Sequence, residues 1–318
     1  MKFFSLFIST TFLFLLNCDS PPPKIFYINS YHEGYGSSDD IAEGISETLA
    51  AAGAQLEIFY MDTKRQFASE YLEDISQKAL KAIQVYQPDV IIASDDNAVK
   101  HIVAPHFKDG PIPVVFCGVN WSCEQYGLPT NNVTGMLEVL PLDTAFTTLK
   151  KLYPDATKLT ILSENTTSEL NNKKVLDTLY RNYGFEPTYA LVDNYSDWKK
   201  AFKKANHDAD LIFFVTNGAI KNWNEVDARI FIAKAIKKPV FTADDFMMDY
   251  AVFGFTKVAK EQGIWAAEKA LEICSGVSSK EIELTRNRQA KTYINPFLAE
   301  KIDFVKPADM IVEFKIYE

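Results

Sequence analysis

From residue 24 onward, short apolar runs alternate with longer stretches whose apolar residues recur every three or four positions. Runs rich in Val, Ile, Phe and Leu, bounded by Gly, Pro, Asn or Asp, read as strands, and the periodic stretches between them read as amphipathic helices. The pattern predicts strands over 25–28, 56–60, 90–93, 114–117 and 133–136, and a second set over 159–162, 186–192, 211–215 and 240–242. Helices are predicted over 39–52, 69–86, 143–152, 168–183, 196–206, 226–236 and 261–274. In the first helix Ile41, Ile45, Thr48 and Leu49 share one face; in the second, Tyr71, Leu72, Ile75, Leu80 and Ile83 do. Strand and helix in regular alternation imply parallel sheets flanked by helices, because each parallel connection needs a long crossover.

Five strands followed by four divide the chain into two doubly wound α/β halves, which its 318 residues allow. The first changeover falls near 134–142. A short apolar strand at 251–255 follows the turn-rich Asp244-Asp245 and leads into the helix at 261, so it reads as a second crossover, and the tail 291–307 supplies a third. The expected division is an N-terminal lobe of 24–138 with about 251–280 and a C-terminal lobe of 139–250 with about 281–318. Several passes of chain between two lobes confine their relative motion to opening and closing about a cleft.

Residues 1–17 carry one charge, Lys2, and an apolar run (Phe3, Phe4, Leu6, Phe7, Ile8, then 12–16), the layout of a signal peptide. The run is too short to span a bilayer, which takes about 20 apolar residues. Its Leu15-Leu16-Asn17-Cys18 ending resembles a bacterial lipobox, in which the cysteine is acylated, although Asn17 stands where a small Gly, Ala or Ser is usual. The alternative is an ordinary cleaved signal with an incidental cysteine. Asp19-Ser20-Pro21-Pro22-Pro23 favours the anchor, with 18–23 as the lipid-held linker, since a Pro-rich extended tether holds a domain clear of a membrane.

Apolar residues make up 47% of the chain and charged residues 24%, a globular mix that fits neither disorder nor a multi-span membrane protein. The net charge of -9 lacks the basic footprint of nucleic-acid binding. Cys117 and Cys123 could pair in an oxidising compartment, but buried free thiols are the simpler expectation for them and for Cys274. The four histidines sit in no ligand spacing, so no zinc or other metal site is expected, and no cofactor. There is no G-x-S-x-G elbow, Walker loop, G-x-G-x-x-G or H-E-x-x-H, which argues against an enzyme.

Several motifs carry a resemblance. Tyr27-Ile28-Asn29-Ser30-Tyr31-His32-Glu33-Gly34-Tyr35 is followed by Asp39-Asp40-Ile41 and Gly44-Ile45, then by Ser94-Asp95-Asp96-Asn97-Ala98, by 113–120, by Val133-Thr134-Gly135 and by Ile294-Asn295-Pro296-Phe297-Leu298-Ala299. In this order they resemble the substrate-binding proteins of ABC transporters that have the type I periplasmic-binding-protein fold, especially the branch also found as extracytoplasmic sensor modules. The resemblance covers essentially the whole chain after the leader. It implies two parallel-sheet lobes joined by a multi-strand hinge, a small molecule caught between them, no turnover, and a permease as partner, the protein itself being a monomer or weak dimer. A sensor that reports occupancy to a membrane partner is the second reading the resemblance allows. Some relatives bind aromatic amino acids; the Asn-Ser-Tyr-His opening departs from theirs.

In open α/β lobes ligands sit beyond the carboxyl ends of the strands. Polar residues there are candidates for solute contact: Ser30, Tyr31, His32 and Tyr35 after the first strand, and Asp95, Asp96 and Asn97 after the third. Asn120 and Trp121 follow the fourth strand, Glu138 the first crossover, and Glu164 with Thr166, Asn217 and Asp244 the strands of the second half. Each has an ordinary alternative: Asn29 or Ser30 capping a turn, Asp95 or Asp96 capping a helix, Trp121 packing between lobes. Together these acids, amides and aromatics suit a neutral or cationic small molecule with an apolar face. A hydrolase using two of Asp95, Glu138 and Asp244 as acid and base is the enzymatic alternative, but nothing in the sequence sets their separation.

Overall fold

The computed structural model describes residues 21–307 and 313–317. The expected signal peptide and the acylation site Cys18 lie outside the described residues. The first lobe runs β1 (Lys24–Asn29), α1 (Gly36–Ala51), β2 (Gln55–Tyr60), α2 (Ser69–Tyr86), β3 (Val90–Ser94) and α3 (Asp95–Ala98). Through a π-helical turn, Val99–Val103, α3 continues into α4 (Ala104–His106), followed by β4 (Val114–Asn120) and β5 (Val133–Glu138). The chain then crosses into the second lobe: α5 (Leu142–Leu152), β6 (Lys158–Glu164), α6 (Thr167–Asn182), β7 (Glu186–Val192), α7 (Tyr195–Asp208), β8 (Leu211–Phe214), α8 (Glu225–Ala235), β9 (Val240–Thr242) and β10 (Phe253–Lys257). It returns for α9 (Ala259–Cys274) and β11 (Thr285–Arg286), and crosses again for β12 (Ala290–Ile294), α10 (Pro296–Lys301) and β13 (Lys315–Ile316).

One sheet has the order β11-β5-β4-β3-β1-β2, all parallel. The other has the order β13-β12-β10-β9-β8-β6-β7, parallel except where β10 meets β12. The alternation of side chains along a strand explains how β1 serves two cores at once. Phe26 and Ile28 pack with Ile75, Ile83 and Ile102 on one face, whereas Ile25 and Tyr27 pack with Ile41, Ile45 and Ala266 on the other. The second lobe is centred on Phe146, Trp198, Phe202, Phe213, Phe214 and Phe241, all buried.

Two expected boundaries are corrected. The strand expected at 251–255 as the start of the N-terminal lobe's second portion is β10, which pairs with β9 and β12 and so belongs to the second sheet. The second crossing therefore follows Lys257. Residues 285–286, expected in the C-terminal lobe, pair with β5 in the first sheet, so the third crossing lies between β11 and β12. Periodicity identifies an apolar strand, but sheet membership depends on register with distant strands.

The returning helix α9 lies against α1 with their backbones in contact. A Cβ at Gly44 would stand 2.6 Å from the Lys260 carbonyl oxygen, and one at Gly263 would run into that of Ile41. Both clashes are with backbone, which cannot swing aside. Gly263→Ala is expected to destabilise the protein by about 1–3 kcal/mol, the range for overpacking. The check is urea unfolding, where the midpoint should fall with little change in slope; an unchanged midpoint would show that the two helices can part freely.

Candidate functional site

The three crossings meet in a network of buried polar groups between the lobes. Glu138 closes β5 and Lys257 closes β10; their side chains form an ion pair through Oε1 and Nζ, with both groups largely withdrawn from water. Glu138 Oε2 accepts a 2.8 Å hydrogen bond from Gln262 Nε2, and Gln262 Oε1 accepts one of 2.7 Å from the Gly118 amide. Lys257 Nζ also lies 3.6 Å from Asp244 Oδ1. The third crossing is tied in by Asn287, which accepts from the Val139 amide at 2.7 Å and donates to the Val139 carbonyl at 3.1 Å. Glu261 at the head of α9 accepts from the amides of Arg288 and Gln289.

Burial alone would push the Lys257 ammonium toward its neutral form, yet Glu138 and Asp244 outweigh burial and hold its pKa above the usual value. Burial raises the Asp244 carboxyl, and Lys257 opposes that rise. Glu138 and Asp244 thus share one cation, an arrangement suited to holding a hinge rather than to proton transfer. Asp95 is different. It sits at φ 68° where β3 turns into α3, its side chain is buried, and its Oδ2 has no hydrogen-bond partner. Burial first, then the charges of Glu138 and Asp96, push its carboxyl up to about 8.

Around this centre the residues predicted from sequence divide into two groups. Tyr31 and Tyr35 come together with ring centroids 5.0 Å apart at 59°. Tyr31 is close enough to Asp95 and Glu138 that, after burial, their charges raise its phenol pKa. The His32 ring lies 5.9 Å from that of Tyr35, with its Nδ1 3.4 Å from Asp62 Oδ1. Trp121, at φ 61°, reaches across to the second lobe, where its Nε1 donates to Asn172 Oδ1 at 2.8 Å. Asn172 donates in turn to Glu169 Oε1 at 2.8 Å. Glu169 is buried, which raises its carboxyl; hydrogen bonds from Ser163 and Asn172 pull it down, while the charges of Glu164 and Asp244 push it further up.

The other group serves the scaffold. Ser30, expected to face the solute, is fully buried: its hydroxyl donates to the Ser94 carbonyl at 2.6 Å and accepts from the Ala98 amide at 2.8 Å. Asn29 is the turn cap, accepting from the Tyr31 amide at 2.9 Å. Thr166, likewise expected at the solute, caps α6 by accepting from the Glu169 amide. Asn97 donates to Thr63 Oγ1 at 2.8 Å, pinning α3 to the loop after β2. Asp96 accepts from Asn120 Nδ2 and from the Tyr126 hydroxyl, both at 2.7 Å, which leaves Asn120 on an exposed rim. Glu164 holds the Ala219 amide at 2.6 Å, and the Asn217 carbonyl closes the same turn on Ile220. Cys117 and Cys123 are buried free thiols. Lys257, Gln262, Glu169 and Asn172 escape sequence reasoning; for Lys257 the available signal was a lysine closing an apolar strand directly before a crossover.

Among the described residues no helix is long and apolar enough to cross a membrane, and no three His, Cys, Asp or Glu side chains are grouped to hold a metal. Two parallel-sheet α/β lobes joined by three crossings, with strand ends facing an interlobe centre, are the type I periplasmic-binding-protein fold. The family model for ABC transporter substrate binding proteins matches residues 33–314, and the chain belongs to that family. Over 251 residues it is 24% identical to a tyrosine-binding protein of Clostridioides difficile (strain R20291), covering 77% of this chain and 68% of that one. Among solved structures it resembles the ligand-free, open form of a substrate binding protein with adhesive properties from Clostridium difficile, at TM-score 0.72 and 15% identity over 93% of this chain and 100% of that one. It also resembles an ABC domain in complex with L-Trp from Streptococcus pneumonia, at TM-score 0.67 and 16% identity over 93% and 99%. At such identities the structural likenesses establish the fold alone.

Two outcomes follow from the buried charges. Lys257→Met leaves Glu138 buried without its cation and is expected to cost about 3–5 kcal/mol, of which Lys257→Met with Glu138→Gln should recover a large part; equilibrium denaturation of the single and double variants checks this. The Asp95 carboxyl is raised on folding to about 8, so the folded state binds the extra proton between the ordinary carboxylate range and that value. The stability it contributes is complete in acid and is lost as pH rises toward about 8. The melting temperature of the wild type minus that of Asp95→Asn should therefore fall steadily from about pH 5 to about pH 8. Parallel pH profiles for the two proteins would refute a protonated Asp95.

Proposed function

We propose that the interlobe centre captures one small solute bearing a protonated amine beside an apolar or aromatic body, an amino-acid-like compound being the leading class. The protein then closes on it and delivers it to the permease of an ABC transporter, working outside the cytoplasm and tied to the membrane through acylated Cys18. The observation that carries the reading is the unpartnered, buried Oδ2 of Asp95 beside Tyr31 at the strand ends. An ammonium entering there favours the ionised form of the raised carboxyl, whose proton leaves to solvent, and pairs with it through a charge-assisted hydrogen bond. Tyr31, Tyr35 and Trp121 offer the aromatic surface that an apolar body requires. The names of the Clostridioides and Streptococcus relatives, which concern tyrosine and L-Trp, support the same class.

Closure follows from contacts made by both lobes. Only a solute that binds the closed form better than the open one shifts the population, and the reading assigns that difference to contacts from Trp121 on one lobe and from Glu169 and Asp244 on the other. The test is a thermal-shift panel of amino acids, aromatic amines, nucleosides, sugars and polyamines, followed by calorimetry and recovery of the compound. An amine-bearing compound recovered unchanged is expected to stabilise the protein by about 2.7 kcal/mol at one hundred times its dissociation constant. Asp95→Ala should weaken its binding about tenfold or more, as loss of a hydrogen bond to a charged group does. Stabilisation by amine-free sugars alone, with Asp95→Ala and Trp121→Ala binding as wild type, would place the site or the ligand class elsewhere.

A further inference from the structure

The loop after β2 brings one lysine to the aromatic corner. Lys64 is exposed, and its Nζ lies 4.8 Å from the ring centre of Tyr31 and 5.2 Å from that of Tyr35. With the rings inclined at 59°, the ammonium faces two aromatic walls at once. The next residue, Arg65, is held differently, its Nε donating to Asp62 Oδ1 at 2.7 Å. The charge of Lys64 is felt at Asp95, where it opposes the effect of burial on the carboxyl. Two aromatic faces form a setting that attracts organic cations, each face contributing more as water is excluded. Here that setting is filled from within, by Lys64.

We propose that Tyr31 and Tyr35 form a cation subsite of the cleft, and that Lys64 is its intramolecular occupant, displaced when the ammonium of a solute enters. The inference rests on the reading of the cleft as an amine-binding site and specifies how that site selects. A tethered ammonium competes at an effective concentration on the order of millimolar, so an entering cation must out-compete it. Lys64 therefore acts as a threshold: weakly held cations such as sodium fail to displace it, and an organic ammonium with aromatic affinity succeeds. The sign of its effect separates this role from the opposite one. If Lys64 gripped an anionic group of the solute, removing it would weaken binding, whereas a competitor's removal tightens it.

The experiment uses the full-length protein with its lysines reductively methylated with ¹³C-formaldehyde, which preserves their charge. The Lys64 resonance is assigned by its loss in Lys64→Arg. It should lie upfield of the other exposed lysines because of the two rings, and return to their position in Tyr31→Leu with Tyr35→Leu. Tetramethylammonium chloride should move it to the exposed position in the wild type, while sodium chloride at equal ionic strength should not. In unmethylated protein, Lys64→Met should bind tetramethylammonium about three- to tenfold more tightly than wild type, the share one or two ring contacts supply. A resonance already at the exposed position, equal displacement by sodium, or weaker binding by Lys64→Met would each overturn the proposal. Displacement by tetramethylammonium together with a panel containing no stabilising amine would keep the subsite and remove the transport reading. An amine whose affinity depends on Asp95 but is unchanged in Lys64→Met would do the reverse.

Discussion

The ion pair between Glu138 and Lys257 joins the ends of two strands that belong to different sheets, and the arrangement of the lobes depends on it. Each partner stands at the last residue of its strand, just where the chain leaves one lobe for the other. In water such a pair is worth little, but here both groups are withdrawn from solvent and further satisfied by Gln262 and Asp244. Separating them would leave buried charge unmatched, so the ion pair holds the first two crossings in register. Asn287 and Glu261 extend the same logic to the third pass of chain through backbone amides.

A fixed hinge gives the strand ends a constant centre to face. The first lobe contributes Asp95, Tyr31 and Tyr35, and the second contributes Glu169 and Asp244. Lys257 pairs with Glu138 and Asp244, and Asp95 Oδ2 is left without a hydrogen-bond partner. On the function proposed above, a cleft with surplus acid and aromatic faces suits a cation with an apolar body. On the proposal made above, Lys64 answers part of that demand from inside the chain, its ammonium lying 4.8 Å from the Tyr31 ring centre and 5.2 Å from that of Tyr35. Trp121, hydrogen-bonded to Asn172, puts the two lobes in direct contact at this edge.

The division of labour among the polar residues follows from burial. Ser30 and Thr166 follow their strands as ligand contacts do, yet their hydroxyls are short and meet local backbone groups first. Asp95 escapes that fate because its backbone turns at φ 68° directly after β3 and leaves one carboxylate oxygen without a donor. Tyr31 and Tyr35 carry their polar atoms too far from the main chain to cap it, so their rings are left to face each other and Lys64.

The sequence by itself determined the element types, the doubly wound rhythm, the presence of three crossings and the strand-end positions of Tyr31, Asp95, Trp121 and Asp244, because hydrophobic period and turn chemistry are local properties. Its motifs also carried the family. Only the tertiary structure decided that β10 joins the second sheet, that β11 joins the first, and that Lys257, Gln262 and Glu169 belong to the centre. Each of those facts depends on contacts between residues far apart in the chain, Glu138 and Lys257 being 119 positions apart. Local pattern cannot encode such a pairing, since the energy that selects it arises only when two distant charges are buried together.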